Sequence, residues 1–165
     1  MSEQTNQVLG HLSPADRKLL QMSIHVTPML VANADGNYSM RESMAFAEAV
    51  RKLITEERYR PLVLVAGSDP ISEAALRVYL EEHSKDIEGY LRQLESLIRH
   101  LPEQVVEAYR EFTVYSIVAV AEASRAGLFG LMGDRISSSE KKVMHRIVEV
   151  LGLPLDDETR GKLGM

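Results

Sequence analysis

Apolar residues recur at helical spacing along most of the chain, and cap residues punctuate them. Ser13-Pro14-Ala15-Asp16 reads as a helix start, with an N-cap side chain, a proline at the first helical position and an acid in the first turn. The run continues through Leu19, Leu20, Met22, Ile24 and Val26. Pro28 removes one backbone hydrogen bond and predicts a kink before Met29 to Ala32 carry the run to an acidic turn. Phe46, Val50 and Leu53 lie at i, i+4 and i+7 of a second helix, from about Met40 to Glu57. The segment from Tyr59 to Ala66 is β-branched enough for a strand, but no second strand is available to pair with it, so it reads as a short helix or an extended link. Helices follow at about Ile71 to His83 and Lys85 to His100, with Pro102 as a stop. Pro102 itself opens the next helix, Glu103 to about Ser124. Ser137 caps a further one that ends at Leu151-Gly152-Leu153-Pro154, and Asp156 to Lys162 forms a short last one. The expectation is an all-α compact bundle of roughly seven helices over residues 13–165, behind a flexible N-terminus at 1–12.

The turn from Asn33 to Glu42 carries the most information. Ser39 is an N-cap whose oxygen can accept an orphan backbone N–H, and Glu42, three residues on, can reach back to the cap. Asp35 and Glu42 then sit where the positive end of a helix dipole favours carboxylates. A weaker copy lies at Gly133-Asp134-Arg135-Ile136-Ser137-Ser138-Ser139-Glu140. Aligning Ser39 with Ser137 places Phe46 on Met144, Ala49 on Ile147, Val50 on Val148 and Leu53 on Leu151. Upstream, Val31-Ala32-Asn33-Ala34-Asp35 matches Val120-Ala121-Glu122-Ala123-Ser124, and joining both alignments inserts nine residues into the second copy. An internal two-fold helix-turn-helix repeat is the expectation.

Composition narrows the function class. The chain has 165 residues, enough for a sizeable core in one domain, with 45% apolar and 26% charged content. A net charge of −5 and a pI near 5.6 argue against general nucleic-acid binding, which needs clustered Lys and Arg to displace counterions. Arg51, Lys52, Arg58, Arg60, Lys141, Lys142 and Arg146 are interleaved with Glu and read as solvated helix faces. With no cysteine there are no disulfides, thiolate ligands or thiol nucleophile. Met1 to Gln7 lack an apolar signal core, and the longest apolar run, Phe112 to Ala121, is about half of a ~20-residue membrane span. A cytoplasmic protein without a membrane span is expected.

An apolar helix ending in Ala-Asp-Gly, then a small residue three before Glu, then an amphipathic helix, resembles the tellurite-resistance TerB-like family. The residues that carry the resemblance are Ala32, Ala34, Asp35, Gly36, Ser39 and Glu42, then Ser137, Glu140, Leu151, Gly152 and Leu153. It covers about Leu19 to Ile54 and Tyr109 to Leu153. The resemblance implies an all-helical fold with acidic residues clustered where two turns approach each other. It also implies a link to stress-response or membrane-associated assemblies, with metal binding proposed and no established enzymatic activity. The second copy departs from the pattern: Gly133-Asp134 reverses the Asp-Gly order, and Ser124 stands where the first copy has an acid.

Candidate chemistry is sparse. With Glu42 at position 12 of an EF-hand loop, Gly36 falls at 6, Asp35 at 5 and Asn33 at 3, but Val31 occupies the first carboxylate position. The same residues are explained as a left-handed cap at Gly36 and a capping box at Ser39 and Glu42. A weak Ca or Mg site would draw on Asp35, Glu42 and Asn33 with Glu122, Asp134 and Glu140 from the second copy. Its dissociation constant would be near or above ~1 mM. His11, His25, His83, His100 and His145 form no close ligand pair, which argues against zinc. No serine or threonine has a nucleophile-elbow context, and Gly127-Leu128-Phe129-Gly130 lacks the Lys-Ser/Thr ending of a phosphate loop. Met22, Met29, Met40 and Met44 at helical spacing read as core before they read as a binding groove. Leu128, Phe129, Leu131 and Met132, between glycines in the 127–133 insertion, are the candidate interface, for a protein partner or self-association. These observations point to a non-catalytic binding or adaptor domain that needs no cofactor. A weak divalent-cation binder is the alternative, and a metal-dependent enzyme a more distant one.

Overall fold

The computed structural model describes residues 12–36, 38–67, 69–125 and 136–165. Among these, all regular structure is helical: eight α-helices and one 3₁₀ turn, with no strand. The sequence expectation of an all-α bundle holds, with one helix more than the rough count.

Helix α1 spans Pro14–Ala32, with Pro14 in its first turn and the Ser13 Oγ accepting from the Asp16 N–H at 3.1 Å. Pro28 sits inside α1 and does not end it. Burial explains the tolerance. Leu19, Leu20, Met22, Ile24, Val26, Leu30 and Val31 are buried around the helix, so tertiary packing outweighs one missing rung of the ladder. Helix α2, Met40–Thr55, buries only Glu42, Ala49 and Leu53, one narrow face. A 3₁₀ turn at Glu57–Tyr59 leads into α3, Arg60–Ala66, which buries Leu62, Val65 and Ala66 at i, i+3 and i+4. The ambiguous β-branched segment is therefore helix: Pro61 opens it, and a 3.6-residue period serves its buried positions.

Helix α4, Glu73–Ser84, buries no residue fully and rests on α1 and α5 through Leu76, Tyr79 and Leu80. Helix α5, Ile87–Ile98, is shorter than the sequence suggested because Asp86 caps it, its carboxylate accepting from the Gly89 N–H at 2.9 Å. Helix α6, Glu103–Arg125, is the central strut. It packs against α1, α2, α3 and α8, and Val105, Tyr109, Phe112, Ile117 and Val120 are all buried. Burying side chains of this size stabilises by about 1.5–3 kcal/mol each. Helix α7, Ser138–Leu151, ends at Gly152, whose left-handed φ of +60° lets the Leu153 N–H return to the Val148 carbonyl at 3.0 Å. Helix α8, Asp157–Leu163, closes over α6.

A ring of hydroxyls interrupts the core between α1, α5 and α6. Thr27 Oγ1 and Tyr90 Oη are 3.3 Å apart. The buried Tyr109 hydroxyl lies near Ser23, Thr27 and Thr113 without a well-formed hydrogen bond to any of them. Burial raises both tyrosine phenols above their ordinary range. No helix among the described residues is long and apolar enough to cross a membrane.

Candidate functional site

Two helix starts meet at one serine. At the first, Ser39 Oγ accepts from the Glu42 N–H at 3.2 Å, and Glu42 Oε2 accepts from the Ser39 N–H at 2.6 Å. At the second, Ser137 Oγ accepts from the Glu140 N–H at 3.1 Å, and Glu140 Oε2 accepts from the Ser137 N–H at 2.7 Å. Each box satisfies two orphan donors of its helix. Each leaves its second carboxylate oxygen, Oε1, pointing at the last turns of α6. There Ser124 Oγ lies 2.6 Å from Glu42 Oε1, 3.0 Å from Glu140 Oε1 and 3.2 Å from the carbonyl of Val120. Both glutamates are only 3% exposed.

The hydrogen-bond count around Ser124 is unbalanced. Its hydroxyl carries one proton and faces three acceptors. At any moment one of the two buried carboxylate oxygens receives no donation from it. The positive ends of α2 and α7 offset part of the resulting charge, since each carboxylate lies in a first helical turn. Tyr38 sits beside this node at the start of α2. Burial raises its phenol, a hydrogen bond with Ser43 opposes that, and the nearby Glu42 carboxylate adds to the rise.

Of the six residues proposed as cation ligands, the structure brings together Glu42 and Glu140. Asn33, Asp35 and Glu122 are exposed, and Glu122 lies on the α8 side within electrostatic reach of Lys162. Among the described residues no three His, Asp or Glu side chains converge as ligands would. Asp134 and the proposed interface residues Leu128, Phe129, Leu131 and Met132 lie outside the described residues. Gly36 has a left-handed φ of +80°, but it stands three residues past the C-cap at Asn33 and closes the following turn, its N–H donating to the Asn33 carbonyl at 3.1 Å, so it is not the helix cap the sequence suggested. His25 is half-buried with its ring edge-on to Phe46, centroids 5.7 Å apart, and burial lowers its pKa. His145 is exposed, as its basic neighbours suggested.

Two features of this region are not legible in the sequence. In the sequence Ser124 stands out only as a missing acid; its place at the end of a long helix, four residues after Val120, gives no sign of which carboxylates it meets. The second is the outward face of α2. Met40, Met44 and Ile54 are 76%, 66% and 67% exposed. The core reading thus fits Met22 but fails for Met40 and Met44. The reason is angular: Met40, Met44, Ala47, Arg51 and Ile54 share the side of α2 opposite Ala49 and Leu53, and nothing among the described residues covers it.

No protein-family model, no curated protein and no solved structure matches this chain.

Proposed function

We propose that this protein is a non-catalytic, TerB-like binding module of the cytoplasm, acting as an adaptor in a stress response. The observation that carries the reading is the outward face of α2, where three long apolar side chains stand in solvent on a well-anchored helix. The two Ser-x-x-Glu boxes hold that helix in place: the acids that would attract a chemical reading are engaged in capping and in the contact with Ser124. In this reading the boxes are the two copies of an internal repeat, and their meeting is the acidic approach that the TerB resemblance implies. The partner is another protein with an apolar groove that receives Met40, Met44 and Ile54, the helix-in-groove mode of recognition. A photo-crosslinking residue at Ala47 should give a covalent adduct in cells. A crosslinker at Glu82, on α4, should not. Met40→Asp with Met44→Asp should abolish the adduct while leaving helical content intact. The same adduct from the Asp variant, or none from the parent, would refute the reading.

The second reading is a weak divalent-cation site between Glu42 and Glu140. The single proton on Ser124 favours it, because a cation would supply the charge that the hydroxyl cannot give to both oxygens. Two carboxylates and a hydroxyl fall short of the six or more oxygens calcium prefers, so the affinity expected is near ~1 mM. Amide shifts at Ser39, Glu42, Ser124 and Glu140 on titration with Ca or Mg, lost in Glu140→Gln, are the expected result. Shifts elsewhere would remove the site.

A further inference from the structure

We propose that a second surface, the groove between the end of α5, the start of α6 and the end of α7, docks a basic amphipathic helix of a partner protein. The groove has a volume of about 600 Å³. Its apolar floor comes from Ile98, Val106 and Val150, one from each helix. Its rim carries the carboxylates of Glu95, Glu103, Glu107 and Glu149 against two guanidiniums, Arg99 and Arg110.

Both guanidiniums are held within the fold, but among the described residues only that of Arg99 is paired with a carboxylate. Arg99 pairs with Glu95. Arg110 donates through Nε to the Leu151 carbonyl at 3.1 Å, holding the end of α7 against α6. Glu149 pairs with Arg146, outside the groove. Glu103 and Glu107 form no ion pair among the described residues. The N-terminus of α6 explains an acid at Glu103, but Glu107 is a turn further on, where the dipole has faded. The C-terminal ends of α5 and α7 also open here, and their negative dipole ends outnumber the one positive end, that of α6.

This combination selects its occupant. An apolar side chain seated among Ile98, Val106 and Val150 is removed from water, and the rim repels phosphate-rich surfaces such as nucleic acids and anionic lipid. Glu103 and Glu107 are four residues apart on one helix, about 6 Å between Cβ atoms. Two Lys or Arg residues four apart on a partner helix match that spacing, with Leu on the adjacent row entering the floor.

The inference rests on the binding-module reading and names a partner class for it at a site separate from α2. The test is nuclear magnetic resonance titration of the full chain with a synthetic Ala-based helix carrying Lys at i and i+4 and Leu at i+3. Amide shifts should concentrate at residues 95–110 and 148–152. Glu103→Gln with Glu107→Gln should weaken binding about tenfold, as the loss of two exposed ion contacts would. Replacing the peptide leucines by serine should weaken it at least as much. Three outcomes would overturn the inference: no saturable shifts, binding indifferent to the double variant, or equal binding by spermidine or the serine peptide, which would reduce the groove to a general cation attractor. An α2 crosslink that persists when this titration fails would discard the groove and keep the binding module; failure of both would discard both.

Discussion

Ser124 is the residue on which the arrangement of the two capping boxes turns. Replacing it with Ala leaves Glu42 Oε1 and Glu140 Oε1 buried without the hydroxyl they share. Leaving such a group unsatisfied costs about 1–3 kcal/mol, so the urea midpoint of Ser124→Ala should fall accordingly. Ser39→Ala and Ser137→Ala should each cost about 1 kcal/mol through the lost cap alone. If Ser124→Ala is no worse than neutral, the serine is a bystander. His25 offers a separate check at the same scale. Burial depresses its pKa below the ordinary 6.5, so the unfolded chain takes up the proton first as pH falls. Stability should then be complete above about pH 6.5 and decline as pH drops through the gap between the two values. His25→Gln should flatten that part of the profile. Denaturant midpoints from about pH 7 to about pH 5.5, compared between the two proteins, would show it.

Helices α5 and α7 are joined by a guanidinium clamp. Arg146 donates to both oxygens of Glu88, through Nε at 3.0 Å and Nη2 at 2.6 Å and 2.7 Å. Arg92 adds a bond from within α5 at 3.1 Å. The Arg146 hydrogen bonds, and then Arg92, hold the Glu88 carboxyl below its usual range. The clamp is thus present above the ordinary carboxylate pKa and released as pH falls through the depressed one. In Arg146→Gln the Glu88 titration, followed by carbon-13 resonance, should move up toward the ordinary range, short of it by what Arg92 retains. An unmoved titration would mean that the clamp does not form in solution. Much at this scale was legible beforehand. Ser13, Ser39 and Ser137 each announced a helix start, and Gly152 announced an end. The sequence pattern places the start of α5 two residues early, at Lys85, because nothing local distinguishes Asp86 as the cap from Asp86 as a helical residue.

Across the whole molecule, local stability should follow burial. Helices α1 and α6 are covered on most sides, whereas α4 has no fully buried residue. Tyr79 and His83 nevertheless tie α4 to α5: both rings meet Tyr90, at centroid distances of 6.5 Å and 4.8 Å. Hydrogen exchange should therefore find α4 amides opening well before those of α1 and α6, with the α4 residues nearest His83 the slowest of that helix. Protection of α4 equal to α6 would show that the domain opens only as one unit.

Sequence by itself determined what depends on neighbours a few residues away. Helical period, the two Ser-x-x-Glu boxes, the glycine turns and the absence of thiol chemistry are local or compositional, and all were readable from the chain. Tertiary structure alone decided which buried groups meet. Glu42, Ser124 and Glu140 are separated by 82 and 16 positions in sequence, and no periodicity encodes that their oxygens converge within 3.0 Å of one hydroxyl. The same holds for the methionines. An apolar residue at helical spacing looks alike on either side of its helix, and only the packing of α2 on α6 fixed which side faces water. Met22 therefore lies in the core and Met40 outside it, because a helix has one face to give to its neighbours and must leave the other to solvent or to a partner.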